Sequence, residues 1–191
     1  MILVVDNTMG QDQYFPRLLK VLSSCDSKFK VIKSKSDLRY IKAKEVKGLI
    51  LSGSPLMVTE EDIDNNQGQF MLNTICIKRY DVPILGICFG CQLLNFIGGG
   101  TLVKLRSHFC ADSEVQIRRG KKVKCRFCLR YIIQEVAPSF DTLGVTEIRG
   151  NKVACLIKHK KSDVYGCLFH PEYHPETHYL IKDFIRVCDS T

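Results

Sequence analysis

Two short stretches of the sequence contain the residue types that a thiol nucleophile and its base require. The first is Gly86-Ile87-Cys88-Phe89-Gly90, which ends an apolar run. Glycines two residues before and after a central residue let a strand turn sharply into a helix, with the central side chain projecting from the sheet edge. The start of the new helix directs N–H groups toward the sulfur and favours the thiolate. The pattern makes Cys88 the candidate nucleophile, although the same glycines could serve only tight packing around a buried thiol.

The second stretch is Phe169-His170-Pro171-Glu172, at the end of the apolar segment that starts at Tyr165. A thiolate nucleophile needs an imidazole to move protons, and the imidazole needs an acceptor that fixes its tautomer. His170 and Glu172 occupy alternate positions of an extended segment, so both side chains can project on the same side. The sequence therefore predicts a triad of Cys88, His170 and Glu172 at the carboxyl end of a sheet.

The elements that must position these residues alternate in type along the first half of the chain, which is typical of a parallel sheet covered by helices. Predicted strands are Ile2–Val5, Phe29–Ile32, Gly48–Leu51, 82–87 and 164–169, and predicted helices are 11–23, Gln67–Arg79, Phe89–Ile97 and 175–188. After the glycines at 98–100, alternating apolar and charged residues predict antiparallel strands, including 142–148 and 152–157. The sequence thus predicts one α/β domain over residues 1–191, with a mainly parallel, helix-flanked central sheet and an antiparallel β extension.

Composition limits the classes of protein that fit. The chain is 45% hydrophobic, and no apolar run reaches the ~20 residues that span a bilayer, so we expect an intracellular, non-secreted protein without a membrane partner. Ten cysteines are then expected to be mostly buried free thiols. The net charge of +8 comes from dispersed lysines, and the basic cluster at residues 118–122 is typical of a solvated hairpin turn. Nucleic-acid binding stays open as an alternative.

Two sets of side chains could in principle hold a metal ion. His170, His174 and His178 recur every four residues, but Pro171 and Pro175 prevent one regular helical face, so we expect no metal there. In the second set, Cys125 and Cys128 have an odd spacing on a predicted strand and should point to opposite faces, which favours packing over zinc binding. A zinc site remains open for the group formed by His108, Cys110, Cys125 and Cys128.

In these residues and their order, the chain resembles the class I, or triad, glutamine amidotransferases. That family has a cysteine elbow of the form G-x-C-x-G-x-Q with a glycine-rich turn after it, an upstream S-G-G-P-like loop and a late F-H-P-E. The matching stretches here are residues 86–92, Gly98-Gly99, Ser52-Gly53-Ser54-Pro55 and Phe169-His170-Pro171-Glu172. The similarity covers nearly the whole chain and extends most clearly to the stand-alone glutaminase subunit of GMP synthetase. It implies a flavodoxin-like core and no cofactor.

The resemblance also implies a reaction. Cys88 would attack the side-chain amide of glutamine, His170 would move the protons, and Glu172 would orient the imidazole, with a γ-glutamyl thioester as intermediate. Because the chain contains no nucleotide-binding loop, the ammonia would pass to a separate synthetase subunit. The resemblance assigns oxyanion and substrate contacts to Gly53, Ser54, Phe89 and Gln92.

Two departures from the family pattern concern the substrate pocket. Ser54 stands where the family usually has glycine, and residues 127–134 replace a short histidine-containing segment that helps to bind glutamine. Two alternatives therefore stay open. One is hydrolysis of a γ-glutamyl peptide on the same fold, and the other is a catalytically altered binding or structural protein.

Overall fold

The computed structural model describes residues 1–11, 13–117 and 120–190, and the strands in these ranges form one nine-stranded sheet. The strands are β1 (Ile2–Val5), β2 (Phe29–Ile32), β3 (Gly48–Leu51), β4 (Ile84–Ile87), β5 (Thr101–Ile117), β6 (Lys122–Glu135), β7 (Phe140–Ile148), β8 (Asn151–His159) and β9 (Val164–Cys167). Their spatial order is β2-β1-β3-β4-β9-β8-β7-β5-β6. Neighbours from β2 to β9 in this order are parallel, and the later neighbours are antiparallel.

The helices are α1 (Phe15–Ser24), α2 (Glu60–Asn65), α3 (Gln67–Arg79), α4 (Phe89–Ile97) and α5 (His178–Ser190). Short 3₁₀ turns occur at Lys35–Leu38, Ala43–Glu45 and Pro175–Thr177. Within the described ranges, none of the helices combines the length and the apolar character needed to cross a membrane.

The predicted α/β class is confirmed, and the antiparallel extension is continuous with the parallel strands. Every residue of β1, β3 and β4 is buried, as expected for parallel strands that are covered on both faces. The extension is formed by β8, β7, β5 and β6. Buried and accessible positions alternate most clearly along β6, as expected for a strand with one wet face, whereas most of β5 is accessible.

Several predicted boundaries were wrong. The first helix begins at Phe15 and not at residue 11, because Thr8 and Gln11 are held in turns by Asp6 and by the Thr8 carbonyl, and Pro16 occupies the first helical turn. The last helix begins at His178, since residues 175–177 form a 3₁₀ turn, and α2 was not predicted. In the basic cluster, Arg118 and Arg119 lie outside the described residues, while Gly120 has a φ of 79° that fits the predicted hairpin turn between β5 and β6.

The antiparallel half of the sheet curls back toward the end of β9. Strand β6 is the last in the spatial order, yet Arg126 of β6 forms an isolated antiparallel bridge with His170, just after β9. The His170 N–H donates to the Arg126 carbonyl over 2.8 Å. A register shift in the β5 and β6 pairing between Lys104 and Phe109 accompanies this curl, and such bulges bend and twist strands. Both halves of the sheet therefore meet at one end of β9.

The corner between β4 and α4 depends on two glycines that allow close backbone contact. A Cβ at Gly90 would overlap the carbonyl oxygen of Leu51, and a Cβ at Gly86 would lie 2.6 Å from the carbonyl carbon of Gly90. Helix α4 can therefore start directly against β3 and β4 only because these side chains are absent.

We predict that Gly90→Ala lowers the free energy of unfolding by about 1–3 kcal/mol, because the Leu51 backbone cannot move away as a flexible side chain would. Urea denaturation followed by circular dichroism measures this. Gly68→Ala in α3 is the matched control, since nothing lies within 4 Å of its added Cβ and the change should be neutral or slightly stabilising. Equal stability of the two variants would contradict the packing argument.

Candidate active site

Cys88 is the residue between β4 and α4, and its backbone has the strained conformation that the glycine spacing predicts. Its φ is 52° and its ψ is −104°, outside the regions that L-residues usually adopt. The conformation is held by two hydrogen bonds: the Cys88 N–H donates to Cys167 over 2.7 Å, and its carbonyl accepts from the Gln92 N–H over 3.0 Å. Such a residue costs about 1–3 kcal/mol and persists only where its surroundings determine it.

His170 and Glu172 follow β9 and form a buried pair. The distance from His170 Nδ1 to Glu172 Oε1 is 2.8 Å, and the two residues are 3% and 4% exposed. Burial alone would lower the pKa of His170, but the charge of the Glu172 carboxylate and then that of the Cys88 sulfur raise this pKa well above its usual value. With Nδ1 committed to Glu172, the other ring nitrogen is free to exchange a proton with the thiol.

The thiol and the imidazole meet. The side chains of Cys88 and His170 both line a cavity of about 460 Å³, and the sulfur is close enough to the ring to raise the pKa of His170. The Cys88 sulfur also lies 3.7 Å from the carbonyl oxygen of Cys128 on β6. A sulfur and an imidazole thus lie side by side at a cavity, with a buried carboxylate behind the imidazole, which is the arrangement needed to deprotonate and use a thiol nucleophile.

The residues predicted to contact substrate lie around this cavity to different extents. Ser54 and Gln92 line it, and the Gln92 side-chain amide donates to the Tyr131 carbonyl over 2.9 Å. Gly53 and Phe89 are buried and do not line it, although each is the chain neighbour of a lining residue, and the Phe89 ring packs against Phe70. The Phe89 N–H belongs to the first turn of α4, where such groups have no partner within the helix.

Serine at position 54 fits the loop without strain. The non-glycine residues with positive φ in the described chain are Met9, Asp26, Cys88 and Arg149, so Ser54 needs no left-handed conformation. Its hydroxyl instead accepts the Leu56 N–H over 3.0 Å and tightens the turn. The absence of glycine at this position therefore does not distort the loop.

Sequence reasoning missed two residues that contact the histidine. The Tyr14 ring stacks on the His170 ring with centroids 3.9 Å apart and planes 23° apart. Arg126 supplies the carbonyl that holds the His170 backbone, and its Nε donates to the Tyr14 hydroxyl over 3.3 Å. Tyr14 precedes α1 and Arg126 lies on a strand, and neither belongs to a motif, so no local signal could have identified them.

One wall of the cavity comes from residues 127–134, the segment that we expect from the sequence to depart from the family pattern. The residues Cys128, Leu129, Arg130 and Tyr131 of β6 line it, together with His108 from the bulged part of β5. The described lining residues include Arg130 but no aspartate or glutamate. The cavity is therefore suited to a ligand that carries a negative charge.

In the first suspected metal set, His174 and His178 contact other residues, whereas in the second set His108, Cys110 and Cys128 lie close together and Cys125 lies apart from them. His174 Nε2 lies 3.2 Å from Asp112, and His178 Nε2 lies 3.2 Å from the Glu172 carbonyl oxygen. Cys125 is fully buried while Cys128 lines the cavity, so the two point to opposite faces as their spacing predicts. Across the described ranges, no group of three or more histidine, cysteine or acidic side chains has a geometry that could hold a metal ion.

Comparison with known proteins agrees with the fold and the motifs. The family model of class-I glutamine amidotransferases matches residues 3–187. The chain therefore belongs to the class-I glutamine amidotransferase family.

Individual relatives point to a narrower group of proteins than the family model does. The chain is 30% identical over 201 residues to a subunit of the glutamine-hydrolysing GMP synthase of Methanocaldococcus jannaschii, with 98% of this chain and 97% of the relative covered. It is 29% identical over 198 residues to the corresponding subunit of Methanococcus vannielii, with the same coverage. A crystal structure of a protein named as a GMP synthase subunit, from Thermoplasma acidophilum, matches the fold with a TM-score of 0.78 at 22% identity, covering 99% of this chain and 94% of the other.

We predict that Glu172→Gln lowers the pKa of His170, because the amide fills the same space without the charge that favours the imidazolium. A raised folded-state pKa means that the pair stabilises the fold at low pH, and that this contribution is lost as the pH rises through the folded pKa. The variant should therefore lose stability mainly at low pH. Titration of the ring by NMR, with urea denaturation at several pH values, measures both effects.

The control for this prediction is Glu176→Gln, which removes an exposed carboxylate from the same region of the chain. It should leave the His170 titration unchanged. A Glu172→Gln protein with an unaltered His170 midpoint would show that the carboxylate does not set the charge of the ring.

Proposed function

We propose that this chain is a glutaminase that hydrolyses the side-chain amide of glutamine and supplies the ammonia to a separate synthetase. The observation that carries the proposal is the line of contacts from the Cys88 sulfur through the His170 ring to the Glu172 carboxylate at the edge of a cavity. Membership of the amidotransferase family supports the same chemistry.

In the first half of the proposed reaction, the Cys88 thiolate attacks the amide carbon and His170 holds the thiol proton. The imidazolium, stabilised by Glu172, then gives this proton to the leaving nitrogen, so that ammonia departs and a γ-glutamyl thioester remains. In the second half, His170 takes a proton from water, the hydroxide attacks the thioester, and the proton returns to the sulfur as glutamate leaves.

The negative oxygen that develops in each attack needs nearby donors. The Phe89 N–H at the start of α4 is one candidate, and the helix dipole adds to its effect. The loop of Gly53 and Ser54 is the other, because Ser54 lines the cavity and the loop is fixed by the hydrogen bonds of Asn7 to Ser52. We assign the oxyanion to these backbone groups.

The wall of the cavity that residues 128–131 of β6 form suggests how glutamine is oriented. Arg130 is an exposed guanidinium at the cavity, and it is suited to the α-carboxylate of a free amino acid. Gln92 is fixed by the Tyr131 carbonyl and presents its remaining amide oxygen from the side of α4. In this proposal residues 128–131 perform the recognition that a histidine-containing segment performs in the family pattern.

The synthetase partner is proposed from the relatives, which are named as one subunit of GMP synthase and therefore act beside another. The net charge of +8 would favour association with an acidic surface. Neither the relatives nor the site supports nucleic-acid binding.

We predict that Cys88→Ser lowers the rate of glutamate release from glutamine by at least about 10³-fold, because a serine hydroxyl is not ionised by this imidazole as a thiol is. A glutamine-like electrophile should add to the unaltered protein at position 88 and not to the variant. Cys25→Ser, at a half-buried thiol that follows α1, is the matched control and should keep full activity and labelling.

Parallel incubation with a γ-glutamyl peptide separates the alternatives. Turnover of glutamine supports the proposal, and turnover of the peptide alone would replace glutamine as the substrate. A protein that is folded, unlabelled and inactive on both would overturn the assignment of a working nucleophile.

We predict that Arg130→Gln raises KM for glutamine about tenfold or more while kcat changes little, because a charge-assisted hydrogen bond to a non-reacting group contributes to binding of both ground and transition states. Steady-state kinetics measures this. Arg39→Gln, remote from the cavity lining, controls for net charge. Loss of kcat with an unchanged KM would contradict the assigned role.

A further inference from the structure

A pair of thiols beside the cavity has no part in the proposed reaction, and one of the two, Cys128, lines the cavity. Cys110 of β5 and Cys128 of β6 are register partners in the antiparallel pairing, and their sulfur atoms are 2.8 Å apart. Facing residues in antiparallel strands have Cα atoms about 4.5–5.5 Å apart, which is within the range that a disulfide bridges. Both thiols are free in this structure.

The surroundings of Cys110 favour a reactive thiolate. The residue is exposed, its sulfur lies 3.7 Å from the Tyr14 hydroxyl, and an Arg126 guanidinium nitrogen lies 3.6 Å away. Burial would raise the pKa of Cys110, but the hydrogen bonds with Cys128 and Tyr14 and the charge of Arg126 lower it below that of an ordinary thiol. Accessible thiolates of this kind are the ones that peroxides oxidise.

We propose that Cys110 and Cys128 form a hydroperoxide-reactive thiol pair that is distinct from the Cys88 nucleophile. The Cys110 thiolate attacks one oxygen of the hydroperoxide, an S–O bond forms, the O–O bond breaks, and the leaving hydroxide or alkoxide takes a proton from solvent. Cys110 is then a sulfenic acid, and the peroxide has been reduced. The Cys128 sulfur attacks the Cys110 sulfur, the S–S bond forms as the S–O bond breaks, and the hydroxyl leaves as water with the proton of Cys128.

The first step prepares Cys128 for the second. Burial, followed by the hydrogen bond and charge of Cys110, raises the pKa of Cys128 to about 12. Oxidation converts Cys110 into an uncharged sulfenic acid and removes the part of this effect that comes from its charge. His108 Nε2 lies 3.4 Å from the Cys128 sulfur and can accept its proton.

Other thiols are poorly placed for the same chemistry. Cys91, Cys125, Cys155 and Cys167 are almost completely buried, and burial raises the pKa of each. Cys91, one turn of α4 from the nucleophile, packs against Gly166 in the core. The pair on β5 and β6 is thus the site at which oxidation should start.

The pair is also next to the proposed active site. Cys128 supplies the carbonyl that faces the Cys88 sulfur, and Tyr14 contacts Cys110 through its hydroxyl while its ring stacks on His170. A disulfide would therefore form in the wall that carries Arg130. The proposal concerns the thiol chemistry alone and holds whether or not glutamine is the substrate.

The test treats the full chain with less than one equivalent of hydrogen peroxide, alkylates the remaining thiols, and maps the cysteines by peptide mass. We expect a disulfide between Cys110 and Cys128, reversed by dithiothreitol, that forms at least about tenfold faster than any oxidation of Cys25. In Cys128→Ser the sulfenic acid cannot be resolved, so a 1,3-dione probe should trap it on Cys110. Oxidation of Cys110 at the rate of Cys25 would overturn the proposal.

A variant at the nucleophile separates this site from the proposed glutaminase. Cys88→Ser should form the Cys110 to Cys128 disulfide at an unchanged rate, even though its glutamine hydrolysis is lost. Failure of the disulfide to form in this variant would show that Cys88 is the primary peroxide target and would overturn the proposal. Glutamine kinetics on the unoxidised chain test the proposed function independently.

Discussion

The site depends on one backbone constraint, the positive φ of Cys88 at the junction of β4 and α4. This conformation is unfavourable by itself, so contacts with the surrounding backbone must stabilise it. The N–H of Cys88 is bonded to the end of β9, and the absent side chain of Gly90 lets α4 start against the Leu51 carbonyl. Because these contacts are all made by backbone, the sulfur is fixed at the sheet edge by the topology of the parallel strands and not by its own packing.

The histidine is positioned by the other half of the sheet. His170 follows β9, but its N–H is held by the Arg126 carbonyl of β6, which reaches this point because the antiparallel strands curl back. Tyr14 covers one face of the ring, and Glu172 occupies its Nδ1. The imidazole therefore has its orientation set by three separate segments, and its raised pKa follows from a charge that is buried with it. The imidazole could therefore not be correctly placed by one half of the sheet alone.

The sequence predicted what is local and missed what depends on long-range geometry. The Cys88 corner follows from two glycines at fixed spacing. The pairing of His170 with Glu172 was predicted from alternation in an extended segment, but residues 171–173 form a turn in which the Tyr173 N–H donates to the His170 carbonyl, and this turn brings the two side chains together. The stacking of Tyr14 on His170 depends on how the loop before α1 folds, which no pattern encodes. Alternation correctly separated Cys125 from Cys128, but the facing of Cys110 and Cys128 depends on a register that shifts between Lys104 and Phe109, so counting along β5 could not reveal it.

The parallel and antiparallel halves of the sheet have separate roles. This explains how the reacting groups can keep their positions while the side chains of β6 that line the cavity differ. Strand β6 holds His170 through a backbone carbonyl and holds Gln92 through another, at Arg126 and Tyr131. Side chains on the same strand are then free to differ without moving the imidazole, because a carbonyl is supplied by any residue type. The expected replacement of the family's histidine-containing segment by residues 127–134 would therefore change the charge and the thiol content of the cavity while leaving the backbone contacts to His170 and Gln92. Substrate preference and thiol reactivity can vary on this strand, whereas the corner at Cys88 cannot vary without loss of its backbone contacts.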